Sequence, residues 1–137
     1  MPTHLFIYGS LLFDDVFEAV TGVRLQSQPA TLREFGRYRV AGASYPAIVP
    51  EAGASTTGAI ILDVDLATIA ALDRFEGDMY ERCRVQVMLP AGGRVDAETY
   101  VFVESARRHL TGDPWKPEEF GPAARAALAG TDDETDD

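Results

Sequence analysis

The stretch from Tyr80 to Ser105 constrains the fold more than any other. In "YERCRVQVML", Cys83, Val85 and Val87 alternate with Arg82, Arg84 and Gln86, the period of two that a strand with one buried face shows. "PAGGR" supplies a turn, and "AETYVFVES" returns with Ala97, Thr99, Val101 and Val103 on one face. The pair predicts a β-hairpin. A lone hairpin cannot cover its own apolar face, so the chain must supply further strands or a helix to pack on it.

It supplies both. Leu5 to Tyr8 form a short apolar run that breaks at Gly9-Ser10, a strand ending in a tight loop. Phe13, Val16, Phe17 and Val20 fall on one helical face, and Gly22 offers a stop. "ATLREFGRYRVAG" reads as strand with a bend or bulge at Gly36. Pro46 and Pro50 frame a short segment suited to an edge strand or an ordered loop, and "TTGAIILDV" is rich in strand formers. Asp65 is placed as an N-cap for a helix whose stripe is Leu66, Ile69, Leu72 and Phe75, with Gly77 as its stop. "DPWKPEEFGPAARAALAG" suggests one or two short helical turns that pack Trp115 and Phe120 on the sheet. The expected architecture is α+β: one domain over residues 1–129, built on a small mixed, curled, barrel-like β-sheet with two to three short helices. Residues 130–137 form an acidic tail expected to be disordered.

Composition narrows the function. At 137 residues and 46% hydrophobic, the chain can bury one core. No apolar run approaches the roughly 20 residues of a membrane helix. The opening "MPTHLFIYGS" has no basic n-region and turns polar early, so a cytoplasmic protein without membrane partners is expected. The net charge is −10, half of it carried by the five acids of "TDDETDD". An acidic body without clustered Lys and Arg argues against nucleic acid, and Arg107-Arg108 reads as a solvated strand end. Cys83 is the only cysteine; it is expected to be a buried strand residue with no disulfide. His4 and His109 lie in unrelated contexts, as surface or strand-end residues, so neither a zinc site nor a cysteine nucleophile is expected. The surface shows no self-association patch, which makes a monomer the default.

Two places could carry chemistry. In "YGSLL", Gly9 lets the backbone turn and a ligand approach, and the amides that follow would face outward at a helix start, suited to a carboxylate or a developing oxyanion. The other place is Glu76, next to Phe75 and four residues from Leu72. It is either a surface acid paired with Arg82 or another arginine, or a partly desolvated carboxylate with a raised pKa. Asp73 and Arg74 are expected to face solvent.

"FIYGSLL", "YPAIVP", "GAIILDV", "LDRFEGDMYERCRVQV" and "AETYVFV", in this order over roughly residues 4 to 120, resemble the gamma-glutamyl cyclotransferase-like family, nearest to its gamma-glutamylamine branch. The resemblance implies a curled mixed sheet with a pocket at one end. It implies that Tyr8, Gly9, Ser10 and Leu11 bind the glutamyl part of a substrate, that Glu76 is the catalytic acid/base, and that Tyr100 lines the pocket. Tyr80 and Arg82 match a recurrent pair, read here as a packing residue and an ion-pair partner, and Pro46 is expected to shape the pocket wall. The implied reaction turns a small gamma-glutamyl amide into 5-oxoproline and a free amine, with no cofactor and no metal. The alternative is a non-catalytic pocket that binds a small amino-acid-like anion.

Overall fold

The structure, a computed structural model, describes residues 3–119. Six strands and two α-helices follow one another as β1 (Thr3–Ile7), α1 (Asp14–Thr21), β2 (Gln28–Val40), β3 (Pro46–Val64), α2 (Leu66–Glu76), β4 (Tyr80–Met88), β5 (Arg94–Phe102) and β6 (Leu110–Pro114), joined in places by short 3-10 turns. The sheet order is β3-β1-β5-β4-β2-β6, and β3 also pairs with β2. That extra pairing closes five strands into a ring and leaves β6 outside it. All pairings are antiparallel except β1 with β5, where Leu5 lies opposite Glu98. The fold is therefore an α+β domain on a closed, mixed five-stranded barrel. Among the described residues no helix is long and apolar enough to cross a membrane.

The apolar run of β1 is continuous because both of its faces are buried. Phe6 and Tyr8 point into the barrel with Leu32, Ile48, Ile60, Val87 and Val101. Leu5 and Ile7 point outward, under Phe17 of α1 and Ile69 and Leu72 of α2. The hairpin of β4 and β5 keeps unbroken register from Tyr80–Phe102 to Met88–Arg94. Ala97, Thr99 and Val101 are buried, but so are Tyr100 and Phe102 on the opposite face. The expected alternation fails at this end of β5 because that face is covered too: Tyr100 belongs to the cluster around α2, and Phe102 to one with Val40, Ala47 and Ala106.

Other expectations are corrected. The irregularity in β2 lies between Arg33 and Phe35, where Glu34 takes φ 70°, not at Gly36. Gly36 stays in register and is required by crowding instead: a Cβ there would fall 2.8 Å from the Tyr38 ring and closer still to Glu51. The Pro46–Pro50 segment is the first part of the long strand β3; within it only β2 pairs, so the prolines meet no second ladder. Leu66 is 71% exposed, because α2 turns Thr68, Ile69 and Leu72 inward. Cys83 is only half-buried, packed against the edge of the barrel cluster rather than within it. Arg107 and Arg108 are exposed as expected, on a 3-10 turn (Glu104–His109) before β6. β6 itself was not legible: five residues ending in Pro carry no alternation. Trp115 is buried against Val16 and donates its indole N–H to the Ser44 carbonyl, 2.9 Å away. Phe120 and the acidic tail lie outside the described residues.

Candidate active site

The loop after β1 begins a 3-10 turn, Ser10–Leu12, closed by the Leu12 amide on the Gly9 carbonyl at 2.9 Å. The first N–H groups of such a turn have no partner within it. Gly9 passes close to the start of β3, where a Cβ would sit 2.9 Å from the Pro46 ring. Arg37 of β2 fixes this corner. It donates to the Tyr8 carbonyl at 2.7 Å, the Thr57 carbonyl at 2.8 Å and the Trp115 carbonyl at 3.2 Å, and stacks 5.4 Å from the Trp115 ring centre.

Opposite strands and helices meet at this loop. A pocket of about 180 Å³ opens there, small beside the roughly 300–1,000 Å³ of drug-sized sites and suited to a ligand of few heavy atoms. The end of β1 and its loop contribute Tyr8, Gly9, Ser10 and Leu11, α2 contributes Glu76, and β5 contributes Tyr100. All six residues singled out from the sequence thus line one cavity. Tyr45, Pro46, Met79 and Tyr80 are among the other lining residues, and Pro46 forms wall as expected.

Glu76 is the last residue of α2 and is half-buried. Among the described residues its carboxylate has neither a hydrogen bond nor an ion pair. Arg82, its candidate partner, is taken by Asp73, with Nε 3.0 Å from Oδ1, and by Glu98. Burial, followed by the charge of Asp73 one turn away, pushes the Glu76 carboxyl up from its ordinary 4.5 to about 8. Its place at the negative end of the helix acts in the same sense.

Asp73 was expected to face solvent and is largely exposed, yet it organises the site. Its Oδ1 also accepts the Tyr100 hydroxyl at 2.7 Å. Burial alone would raise its carboxyl, but the hydrogen bonds from Arg82 and Tyr100 and the charge of Arg82 hold it below the usual range. The i, i+3 spacing from Asp73 to Glu76 puts both on one flank of α2, a signal present in the sequence. Nothing in the sequence marked Arg37 or Tyr45. The Tyr8 hydroxyl donates to the Tyr100 carbonyl at 2.6 Å, and the Tyr80 hydroxyl to the Pro46 carbonyl at 2.9 Å. Burial, and next the charge of Glu76, raises the pKa of Tyr8 and Tyr80; burial and Asp73 raise that of Tyr100. All three stay protonated at neutral pH. Among the described residues no group of three or more His, Cys, Asp or Glu is arranged to hold a metal ion.

Known proteins share this chain's sequence pattern and fold. The family model described as "Gamma-glutamyl cyclotransferase, AIG2-like" matches residues 5–117. AIG2-like protein D of Arabidopsis thaliana is 34% identical over 118 residues, 85% of this chain and 77% of that protein. A solution structure of an Arabidopsis thaliana protein superposes with TM-score 0.73 at 31% identity, covering 88% of this chain and 73% of that one. A structure titled "Gamma-glutamyl cyclotransferase" shares the fold with TM-score 0.67 at 18% identity, covering 75% of this chain and 68% of its own.

Proposed function

Because the chain belongs to the AIG2-like gamma-glutamyl cyclotransferase family, we propose that it converts a small gamma-glutamyl amide into 5-oxoproline and a free amine, with Glu76 as general acid/base. The observation that carries this reading is a carboxylate without a partner among the described residues, raised to about 8, lining the same pocket as the Gly9–Leu11 loop.

The reaction needs little else. The substrate's α-amine attacks its own γ-carbonyl carbon, a C–N bond forms and closes the ring, and the C–N bond to the departing amine breaks. From the α-ammonium the α-nitrogen gives up two protons on its way to the lactam N–H, and the departing amide nitrogen takes two to leave as an ammonium, so a single group can shuttle them one at a time. A carboxylate at about 8 lies far closer in pKa to an α-ammonium than one at 4.5 does, so the proton transfer is much less uphill. A carboxylate at its ordinary value would be a far weaker base. The amides at the start of the 3-10 turn, and the buried Ser10 hydroxyl, are the donors for the substrate's α-carboxylate or for the oxyanion that forms at the γ-carbonyl. A pocket this small holds the glutamyl chain folded back on itself, the orientation cyclisation requires.

The test is incubation with gamma-glutamyl amines, gamma-glutamyl amino acids and glutathione, with 5-oxoproline read by mass spectrometry. The wild type should form it, and Glu76→Gln should lose about 100- to 10,000-fold in rate. Equal turnover by both proteins would remove Glu76 from the role. No product from either, together with a rise in melting temperature on adding a glutamyl ligand, would favour a pocket that only binds.

A further inference from the structure

The protons of three pocket tyrosines are already committed. Tyr8 gives its proton to the Tyr100 carbonyl, Tyr80 to the Pro46 carbonyl and Tyr100 to Oδ1 of Asp73. A carbonyl and an ionised carboxylate only accept, so the phenol is the donor in each pair. Asp73 is kept ionised by Arg82, which engages both of its oxygens at 3.0 and 3.2 Å. The Tyr8 oxygen in turn accepts from the Ile48 backbone N–H, so the oxygens of Tyr80 and Tyr100 are the two with lone pairs alone to offer a ligand. Glu76 acts electrostatically on all three hydroxyls and, when ionised, is a third open acceptor.

Among the described residues no Lys or Arg lines this pocket. Buried acceptors left without donors are costly, and the missing partner is a group that brings several N–H donors and a positive charge. Donors lie elsewhere in the cavity: the hydroxyl of Ser10, a residue 7% exposed, which makes no side-chain hydrogen bond among the described residues, Tyr45, and the loop amides. The pocket is thus divided into an accepting wall and a donating loop.

We propose that Tyr80 and Tyr100 are specificity-determining residues which, with Glu76, form an accepting cage for a protonated primary amine, and that Asp73 is the positioning residue that fixes the Tyr100 proton. The cage stands on the hydrogen-bond pattern; it rests on the cyclisation reading only in identifying that amine as the substrate's own α-ammonium. A ligand lacking the amine leaves the wall unsatisfied and is rejected.

The test uses two unreactive probes that differ only in the amine, L-methionine sulfone and 4-(methylsulfonyl)butanoate. In both, the sulfone replaces the γ-carbonyl. Calorimetric titration at pH 8, where half of Glu76 is ionised and much of the amine is still charged, should show the wild type binding the first about tenfold or more tighter, the scale of one charge-assisted hydrogen bond. Tyr80→Phe and Tyr100→Phe keep the ring and remove one acceptor, and each should shrink that ratio several-fold while leaving the affinity for the des-amino probe unchanged. A merely structural role would weaken both probes alike, and that result overturns the proposal. Equal affinity of the wild type for the two, including none for either, also overturns it. Discrimination without 5-oxoproline from any substrate would sink the cyclisation and leave the cage; 5-oxoproline without discrimination would sink the cage alone.

Discussion

Three carboxylates on or beside α2 carry three different environments. Asp65 and Asp73 are held below their usual range by the groups that donate to them, whereas Glu76 has no donor among the described residues and is raised. With a pKa of about 8, about one Glu76 in ten is ionised at pH 7. On the proposed mechanism kcat/KM rises with pH, with unit slope below about 8, and falls again at the higher pH where the free substrate's α-ammonium loses its proton. In Asp73→Asn the neighbouring charge is gone, so the inflection moves to lower pH; an unmoved inflection would show that burial alone sets it. The raised value also makes stability depend on pH. The folded pKa of Glu76 lies above the unfolded value near 4.5, so the neutral acid is what the fold favours. Its contribution is complete below pH 4.5 and is lost as pH rises through about 8. Glu76→Gln, which cannot ionise, should therefore gain stability over the wild type as pH rises from 5 to 9 in denaturant titrations. A constant difference would mean that the carboxylate is solvated.

At the scale of elements, α2 matters because it carries Asp73 and Glu76 over β5. Its start is secured by Asp65, whose carboxylate accepts the Thr68 amide at 2.8 Å. Removing that cap in Asp65→Ala should lower the denaturant midpoint measurably. The next residue, Leu66, is exposed, and Leu66→Ser should change stability by less than about 0.5 kcal/mol. Chemical denaturation of the pair checks both, and a large loss at Leu66 would mean that the helix is turned differently. The sequence carried the cap and Gly77, the helix stop, because both are local features, and it misassigned Leu66 because a stripe of four cannot say where the buried arc begins. It carried Glu76 and the Tyr8–Leu11 loop through an ordered set of short motifs. It did not carry Arg37 or the tie between Asp73 and Tyr100, since those bonds join residues 29 and 27 positions apart. β6 stayed hidden for a related reason: its pairing with β2 comes from the barrel's outer edge and leaves no periodicity of its own.

The whole molecule is a ring closed by pairings of unequal extent. β2 and β3 run in register along most of their length, while β2 and β4 share one registered pair, Thr31 opposite Met88. Closure there depends on what the strands enclose and on what ties the far side together. Arg37 is that tie. One guanidinium spans the carbonyls of Tyr8 at the end of β1, Thr57 in β3 and Trp115 in the C-terminal segment, while stacking on the Trp115 ring. No other residue type reproduces this: a lysine has a single nitrogen and no planar face. Arg37→Lys should therefore lose more than one hydrogen bond to a charged donor, about 2–4 kcal/mol in all, read as a lower denaturant midpoint with an unchanged m-value. Because the Tyr8 carbonyl belongs to the peptide that leads into Gly9, the same variant should displace the loop before it disturbs Glu76. The expected signature is a KM raised several-fold, kcat nearly retained and the inflection near pH 8 unmoved. A fall in kcat with KM unchanged would place Arg37 in the transition state rather than behind the loop. Full stability in the lysine variant would show that the ring closes without it.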